Sequence, residues 1–188
     1  SNNLVAENRP SNTLVGTLTA VDPNASDSHT FTLVDGTGSV DNSSFTISGN
    51  QLRTSATFDY ETGSSYSIRV RATDAGSLSV EKQLIIAVTN VNEAPTNITI
   101  SGLSVSENRP VNTVVGILTT ADPDENDTHV YSLVSGTGSD DNGSFNISGS
   151  RLRTDESFNF EAKSSYTIRL RTTDANSLWF EKVFIITI

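Results

Sequence analysis

The residues most able to do chemistry are the carboxylates of Asp122-Pro123-Asp124-Glu125-Asn126-Asp127, four in six positions. Alternate side chains converge on one side of a turn, and hard anionic oxygens crowded together repel unless a cation neutralises them. Calcium suits such a set, because it takes six to eight oxygen ligands from carboxylates, amides and backbone carbonyls. The start of the segment imitates a helix-flanked calcium loop. That reading fails, since the sixth position is Asp127 where glycine is needed and the twelfth is Leu133 where glutamate is needed. A solvated acidic turn is the alternative that this segment alone leaves open. A second acidic pair, Asp59 and Glu61, has the composition of a glycosidase acid and base, but a lone pair on a loop is far more often structural or metal-binding. No catalytic residue is therefore assigned.

The elements that must position these groups follow from a repeat. Glu7-Asn8-Arg9-Pro10 returns as Glu107-Asn108-Arg109-Pro110, Asp22-Pro23 as Asp122-Pro123, Gly36-Thr37-Gly38-Ser39 as Gly136-Thr137-Gly138-Ser139, and Thr73-Asp74-Ala75 as Thr173-Asp174-Ala175. Of the 88 positions that overlap at a shift of 100, 49 are identical, so the chain carries two copies of one domain-sized unit. Within a copy the apolar residues alternate. Tyr66, Ile68, Val70 and Ala72 face one way while Ser67, Arg69 and Arg71 face water. Strands are predicted near Leu4 to Ala6 and at Leu14 to Ala20, Thr30 to Val34, Phe45 to Ile47, Leu52 to Thr54, Tyr66 to Ala72 and Lys82 to Thr89. No window carries a helical period. The expected fold class is all-β: two tandem seven-stranded Greek-key β-sandwiches of immunoglobulin-like architecture, without the Cys and Trp marks of a true immunoglobulin domain. The expected boundaries are repeat 1 at 1–89, a linker at 90–95 held extended by Pro95, and repeat 2 at 96–188.

In this setting the chain resembles the cadherin repeats, in particular the cadherin-like repeats of large bacterial surface and secreted proteins. The resemblance rests on five elements in the family's order. They are Ala6-Glu7-Asn8 with Ser106-Glu107-Asn108; Asp122-Pro123-Asp124, more weakly Asp22-Pro23-Asn24; Phe58-Asp59-Tyr60-Glu61 with Phe158-Asn159-Phe160-Glu161; Ala72-Thr73-Asp74 with Thr172-Thr173-Asp174; and the linker Asn90-Val91-Asn92-Glu93-Ala94-Pro95, one residue shorter than the family's. The resemblance implies calcium between consecutive repeats, held by Glu7, Asp59 and Glu61 of the first copy, Asn92 and Glu93 of the linker, and Asp122, Asp124 and Asp174 of the second. Seven carboxylates and one amide balance two or three calcium ions. The linker departs from the family at Asn90, at Ala94 and in length, which bears most on the ion it would centre. The outer ends would hold half-sites: Asp22, Asn24 and Asp74 at one, Glu107, Asn159 and Glu161 at the other.

A net charge of -10 argues against nucleic acid and anionic membranes as partners. There is no cysteine, and no stretch approaches the ~18 apolar residues of a membrane span. The absence of methionine suggests a fragment of a longer protein. The resemblance implies an extracellular or cell-surface location and a calcium-stiffened module for adhesion, homophilic contact or surface display, with neighbouring repeats as partners. A carbohydrate-binding accessory role, with Trp179 and Tyr131 as an aromatic platform, and an inert spacer are the alternatives. His29 and His129 are expected to be half-exposed strand residues without metal partners. The Gly36 and Gly136 segments read as hairpin connections, since neither a following helix nor a lysine makes a phosphate cradle. The Asn-x-Ser/Thr triplets at Asn42, Asn97, Asn126, Asn142 and Asn146 are expected by chance in so Asn-rich and Ser-rich a chain. Trp179-Phe180, where the first copy has Ser79-Val80, reads either as packing or as a surface contact.

Overall fold

A computed structural model describes residues 3–24 and 27–188, which fold as two units, Ser1–Val91 and Asn92–Ile188. The first unit contains β1 (Leu4–Ala6), β2 (Leu14–Thr17), β3 (Thr30–Leu33), β4 (Phe45–Ser48), β5 (Gln51–Thr54), β6 (Ser65–Thr73) and β7 (Ser79–Thr89). They form one sheet in the order β1-β7-β6-β3 and a second in the order β2-β5-β4. The chain changes sheet between β1 and β2, between β2 and β3, between β3 and β4 and between β5 and β6, which gives the Greek-key connection.

Alternation sets each face. On β6, Ile68 and Val70 are buried while Ser67, Arg69 and Arg71 lie outside the core, and Ile86 and Val88 of β7 complete the inner layer. The facing sheet contributes Val15, Phe45 and Leu52. Phe58, on the loop after β5, sits 5.4 Å from Phe45 and 4.4 Å from Tyr66, ring centroid to centroid, and plugs one part of this core. On the outer face Arg69 and Arg71 both bond Glu81, whose carboxyl is held below the usual range by the two guanidiniums.

The second unit contains β8 (Asn97–Ile100), β9 (Val114–Ala121), β10 (Val130–Leu133), β11 (Phe145–Ser148), β12 (Arg151–Thr154), β13 (Ser165–Thr173) and β14 (Trp179–Thr187). Its sheets run β11-β12-β9-β8 and β10-β13-β14. The packing scheme repeats: Ile168, Leu170 and Ile186 face Phe145 and Leu152, and Phe158 lies 4.4 Å from Tyr166. Arg169 and Arg171 bond Glu181.

Two features differ from the sequence reading. Short 3-10 turns at Asn42–Ser44 and Asn142–Ser144 precede β4 and β11. The expected strand Leu14 to Ala20 stops at Thr17 in the first copy but runs to Ala121 in the second. The reason is pairing. In the second unit β8 hydrogen-bonds along β9, with Asn97 opposite Ala121 and Ile100 opposite Leu118, and a strand persists only where its ladder is satisfied. In place of a copy of β1, the second unit has a single parallel bridge from Ser104 to Thr187.

Candidate metal centre

Each unit assembles part of the ligand set, and each part is described within its own unit. In the first, Glu7 follows β1 and is 2% exposed. Its carboxylate is tied by the backbone N–H of Tyr60 to Oε2 (2.6 Å) and that of Val91 to Oε1 (2.7 Å), so it staples the loop after Phe58 to the end of the unit. Asp59 Oδ1 accepts the N–H groups of Glu61 and Thr62 at 3.0 and 3.2 Å, an Asx-type turn that turns Glu61 back toward Glu7. One oxygen each of Glu7 and Glu61 comes within 4.8 Å of the other. Asn90 reaches Glu61 Oε1 through its amide at 3.4 Å.

In the second unit, Asn92 and Glu93 lead in. The Glu93 N–H donates to Asp124 Oδ2 at 2.7 Å, and Asn92 Nδ2 donates to Asp174 Oδ2 at 2.8 Å. Asp122 opens the turn after β9, and its Oδ1 receives the N–H of Asp124. Asp174 follows β13 directly, and its Oδ1 receives the N–H of Leu178. Burial acts to raise the Asp174 pKa, but hydrogen bonds from Asn92 and from the backbone of Leu178 and Asn176, with the charge of His129, hold it below the usual carboxylate range.

Asp122, Asp127 and Asp174 each place an oxygen within 4.8 Å of the others'. Asp127 Oδ2 is buried and has no hydrogen-bond partner among the described residues. A carboxylate oxygen sealed from water and left unpaired is costly. An orphaned hard oxygen among two further carboxylates fits a calcium-sized cation.

Asp122, Asp124 and Asp174 belong to the ligand set expected from the resemblance; Asp127 does not, and only its place among the four carboxylates of the acidic run marked it. The corresponding residues Asp22, Asp27 and Asp74 gather in the first unit. His29 and His129 lie one residue before β3 and β10, and each meets a carboxylate of the acidic turn. His129 Nε2 lies 2.7 Å from Asp122 Oδ2, and His29 Nε2 lies 3.2 Å from Asp22 Oδ2. The turn closes a seven-residue gap that no strand or helix period would join. At the other end of the second unit, Glu107 Oε2 accepts the Phe160 N–H at 3.1 Å and Asn159 Oδ1 accepts that of Glu161, so the half-site named there keeps the backbone pattern of its counterpart.

Trp179 is half-exposed, and the Arg171 guanidinium lies 4.5 Å over its ring. Phe180 turns inward against the core, and so does Tyr131, whose hydroxyl accepts from Thr120 at 2.9 Å. The two aromatics suggested as a sugar platform therefore do not share an open surface.

These sandwiches, with acidic turns at their ends, have the fold of two tandem cadherin-like domains. The cadherin domain family model matches residues 2–89. Human protocadherin beta-1 is 32% identical over 126 residues, covering 64% of this chain and 15% of that protein, and chimpanzee protocadherin alpha-2 is 32% identical over 63% and 13%. The chain thus spans less than a sixth of these curated relatives. Among solved structures, extracellular cadherin domains 1–4 of protocadherin gamma B7 match with a TM-score of 0.71 at 27% identity, over 98% of this chain and 47% of that one. Domains 1–2 of human protocadherin-24 match with a TM-score of 0.77 at 19% identity, over 98% and 92%. The two curated relatives are primate proteins, and the bacterial provenance implied by the resemblance gains no support from them.

Proposed function

We propose that this chain is a calcium-binding pair of adhesion repeats, exposed outside the cell as part of a longer protein. The observation that carries the reading is the sealed, unpartnered Asp127 Oδ2 beside Asp122 and Asp174. Bound calcium would supply the positive charge that lets these carboxylates stay ionised and close together. Asp122, Asp124 and Asp174, with Asn92 and Glu93, would hold it from the second repeat; Glu7, Asp59 and Glu61 would complete the junction from the first. Two or three ions are proposed there. The domain division offered is repeat 1 at 1–89, a calcium-binding linker at 90–95 and repeat 2 at 96–188. Residues 90–96 form no strand, which leaves their backbone carbonyls available as ligands.

The protocadherin matches support adhesion over catalysis. The separation of Trp179 from Tyr131 gives the carbohydrate reading no platform. Isothermal calorimetry of the 188-residue chain with calcium, and with magnesium as control, tests the proposal. Saturable calcium binding in the ~10⁻⁴ to 10⁻³ M range of extracellular modules is expected. A flat calcium titration would remove the site.

A further inference from the structure

The second unit carries a chain of three hydroxyls at positions where the first has none. Thr120 Oγ1 donates to the Tyr131 hydroxyl at 2.9 Å and lies 2.7 Å from Thr172 Oγ1. Thr172 has no exposed surface, and Tyr131 packs against the core. A threonine hydroxyl is one donor with two acceptor lone pairs, so Thr120 can accept from Thr172 while it donates to Tyr131. The first copy has Ala20, Phe31 and Ala72 at these positions, so the three hydroxyls are present together or absent together.

These hydroxyls tie the two sheets together at the acidic end of the sandwich. Thr120 lies on β9 in one sheet, while Tyr131 on β10 and Thr172 on β13 are cross-strand partners in the other. Each of the three strands also delivers one side chain of the acidic end, two residues along, which on a pleated strand is the same face. Asp122 follows Thr120 by two, Asp174 follows Thr172 by two, and His129, which bonds Asp122, precedes Tyr131 by two. Asp127 lies in the turn that joins β9 to β10. In the first copy the three carboxylates converge without these hydroxyls, so what the hydroxyls add is fixity and not proximity. Apolar packing between sheets tolerates small slides. A buried hydroxyl pulled from its partner is left unsatisfied at a cost, and this holds the three strand ends in one arrangement.

We propose that Thr120, Tyr131 and Thr172 are positioning residues for the cation site, none of them a ligand. They hold the ends of β9, β10 and β13 so that the oxygens of Asp122, Asp127 and Asp174 keep a calcium-sized spacing. They thereby set the preference for calcium over the smaller magnesium, which depends on cavity size and on how far the ligands can move. The inference rests on the reading of these carboxylates as a calcium site.

The test titrates the 188-residue chain with calcium chloride and, separately, with magnesium chloride. It follows the backbone amide resonances of Asp124 and Leu178, whose N–H groups bond Asp122 and Asp174, and the melting of the metal-free chain is measured alongside. Thr172→Val, which removes the hydroxyl and keeps the shape, should weaken calcium binding about tenfold and magnesium binding by much less, the usual loss when a group behind the ligands is removed. Tyr131→Phe, the first copy's residue, should act in the same direction, and decides by the same criteria should Thr172→Val not fold. Thr172→Ser should restore both the calcium affinity and the calcium-to-magnesium ratio. A metal-free melting temperature that falls while both affinities stay at their unsubstituted values gives the hydroxyls a structural role only and overturns the inference. Equal weakening for the two ions, or a Thr172→Ser variant that restores neither quantity, overturns it too. If the unsubstituted chain shows no calcium-dependent shift at these two amides, the calcium reading itself fails and the inference falls with it.

Discussion

The two copies share 49 of 88 residues, yet their acidic turns are not equivalent. Asp22, Asp27 and Asp74 converge as Asp122, Asp127 and Asp174 do. In the second copy Asp174 is 3% exposed and the Asp122 side chain 4%, against 17% for that of Asp22. Asn92 bonds Asp174 and Glu93 bonds Asp124, and the first copy has Asn24 at the position of Asp124. Three carboxylates converge in both copies, and in the second the segment that bonds Asp174 and Asp124 closes over them. The strands teach the same lesson: β9 is twice the length of β2 because β8 lies beside it.

The sharpest way to break this comparison is at the core. Leu118→Ala should cost about 3 kcal/mol and Leu18→Ala about 1 kcal/mol or less, because only Leu118 is enclosed. Urea unfolding would measure both, with Trp179, the chain's single tryptophan, reporting the second unit. Equal costs would mean that Leu18 is enclosed in solution as Leu118 is. Next in size, calcium at a hundredfold excess over its Kd should stabilise the fold by ~2.7 kcal/mol. Differential scanning calorimetry with and without chelator checks this, and a melting curve indifferent to chelator would erase the distinction between the copies.

A third test separates the turns directly. Asp124→Ala should weaken calcium binding at least tenfold, about 1.4 kcal/mol, while Asp22→Ala leaves the titration nearly unchanged. Asp127→Asn belongs beside them, since it keeps the volume of the buried side chain and removes its charge. The smallest effect is one in which the copies should agree. Glu81 and Glu181 are both held below the usual carboxylate range by paired arginines. A depressed folded pKa gives stability that is present above the unfolded value of ~4.3 and is lost as pH falls through the folded value. Glu181→Gln should therefore destabilise slightly at pH 7 and not at all near pH 2, and Glu81→Gln should match it. Urea midpoints across that range would show a divergence if one ladder did more than pair charges.

Much of the fold was legible because a period of two and a period of 100 are local and additive signals. Ile68 and Val70 were placed inward by alternation alone, the repeat carries the same positions to Ile168 and Leu170, and all four are buried. The length of β2 was not legible, since Leu18 to Ala20 read identically whether or not a partner strand lies beside them. Within the candidate site, the Asp-x-Asp and Thr-Asp elements were visible as spaced carboxylates. The bonds from His29 to Asp22 and from His129 to Asp122 were not, because a turn and not a regular element joins them. Asp127 was hidden for another reason: its significance lies in an oxygen that lacks a partner, and sequence patterns record only what is present.

The parallel pairing of β1 with β7 has a mechanical consequence. Leu4 lies opposite Ala87, Val5 opposite Val88 and Ala6 opposite Thr89, with both strands running the same way. A tension applied at the first unit's two chain ends draws β1 backward and β7 forward along one line. The load is then shear, borne by all three pairs together, where an antiparallel pair pulled at its open end would peel bond by bond. Lifetime under force follows the unfolding rate and not the equilibrium stability. This short patch, centred on the buried Val5 and Val88, therefore governs how long the first unit stays folded under tension, and Val5→Pro, which removes a backbone donor within it, should shorten that lifetime more than it lowers the melting temperature.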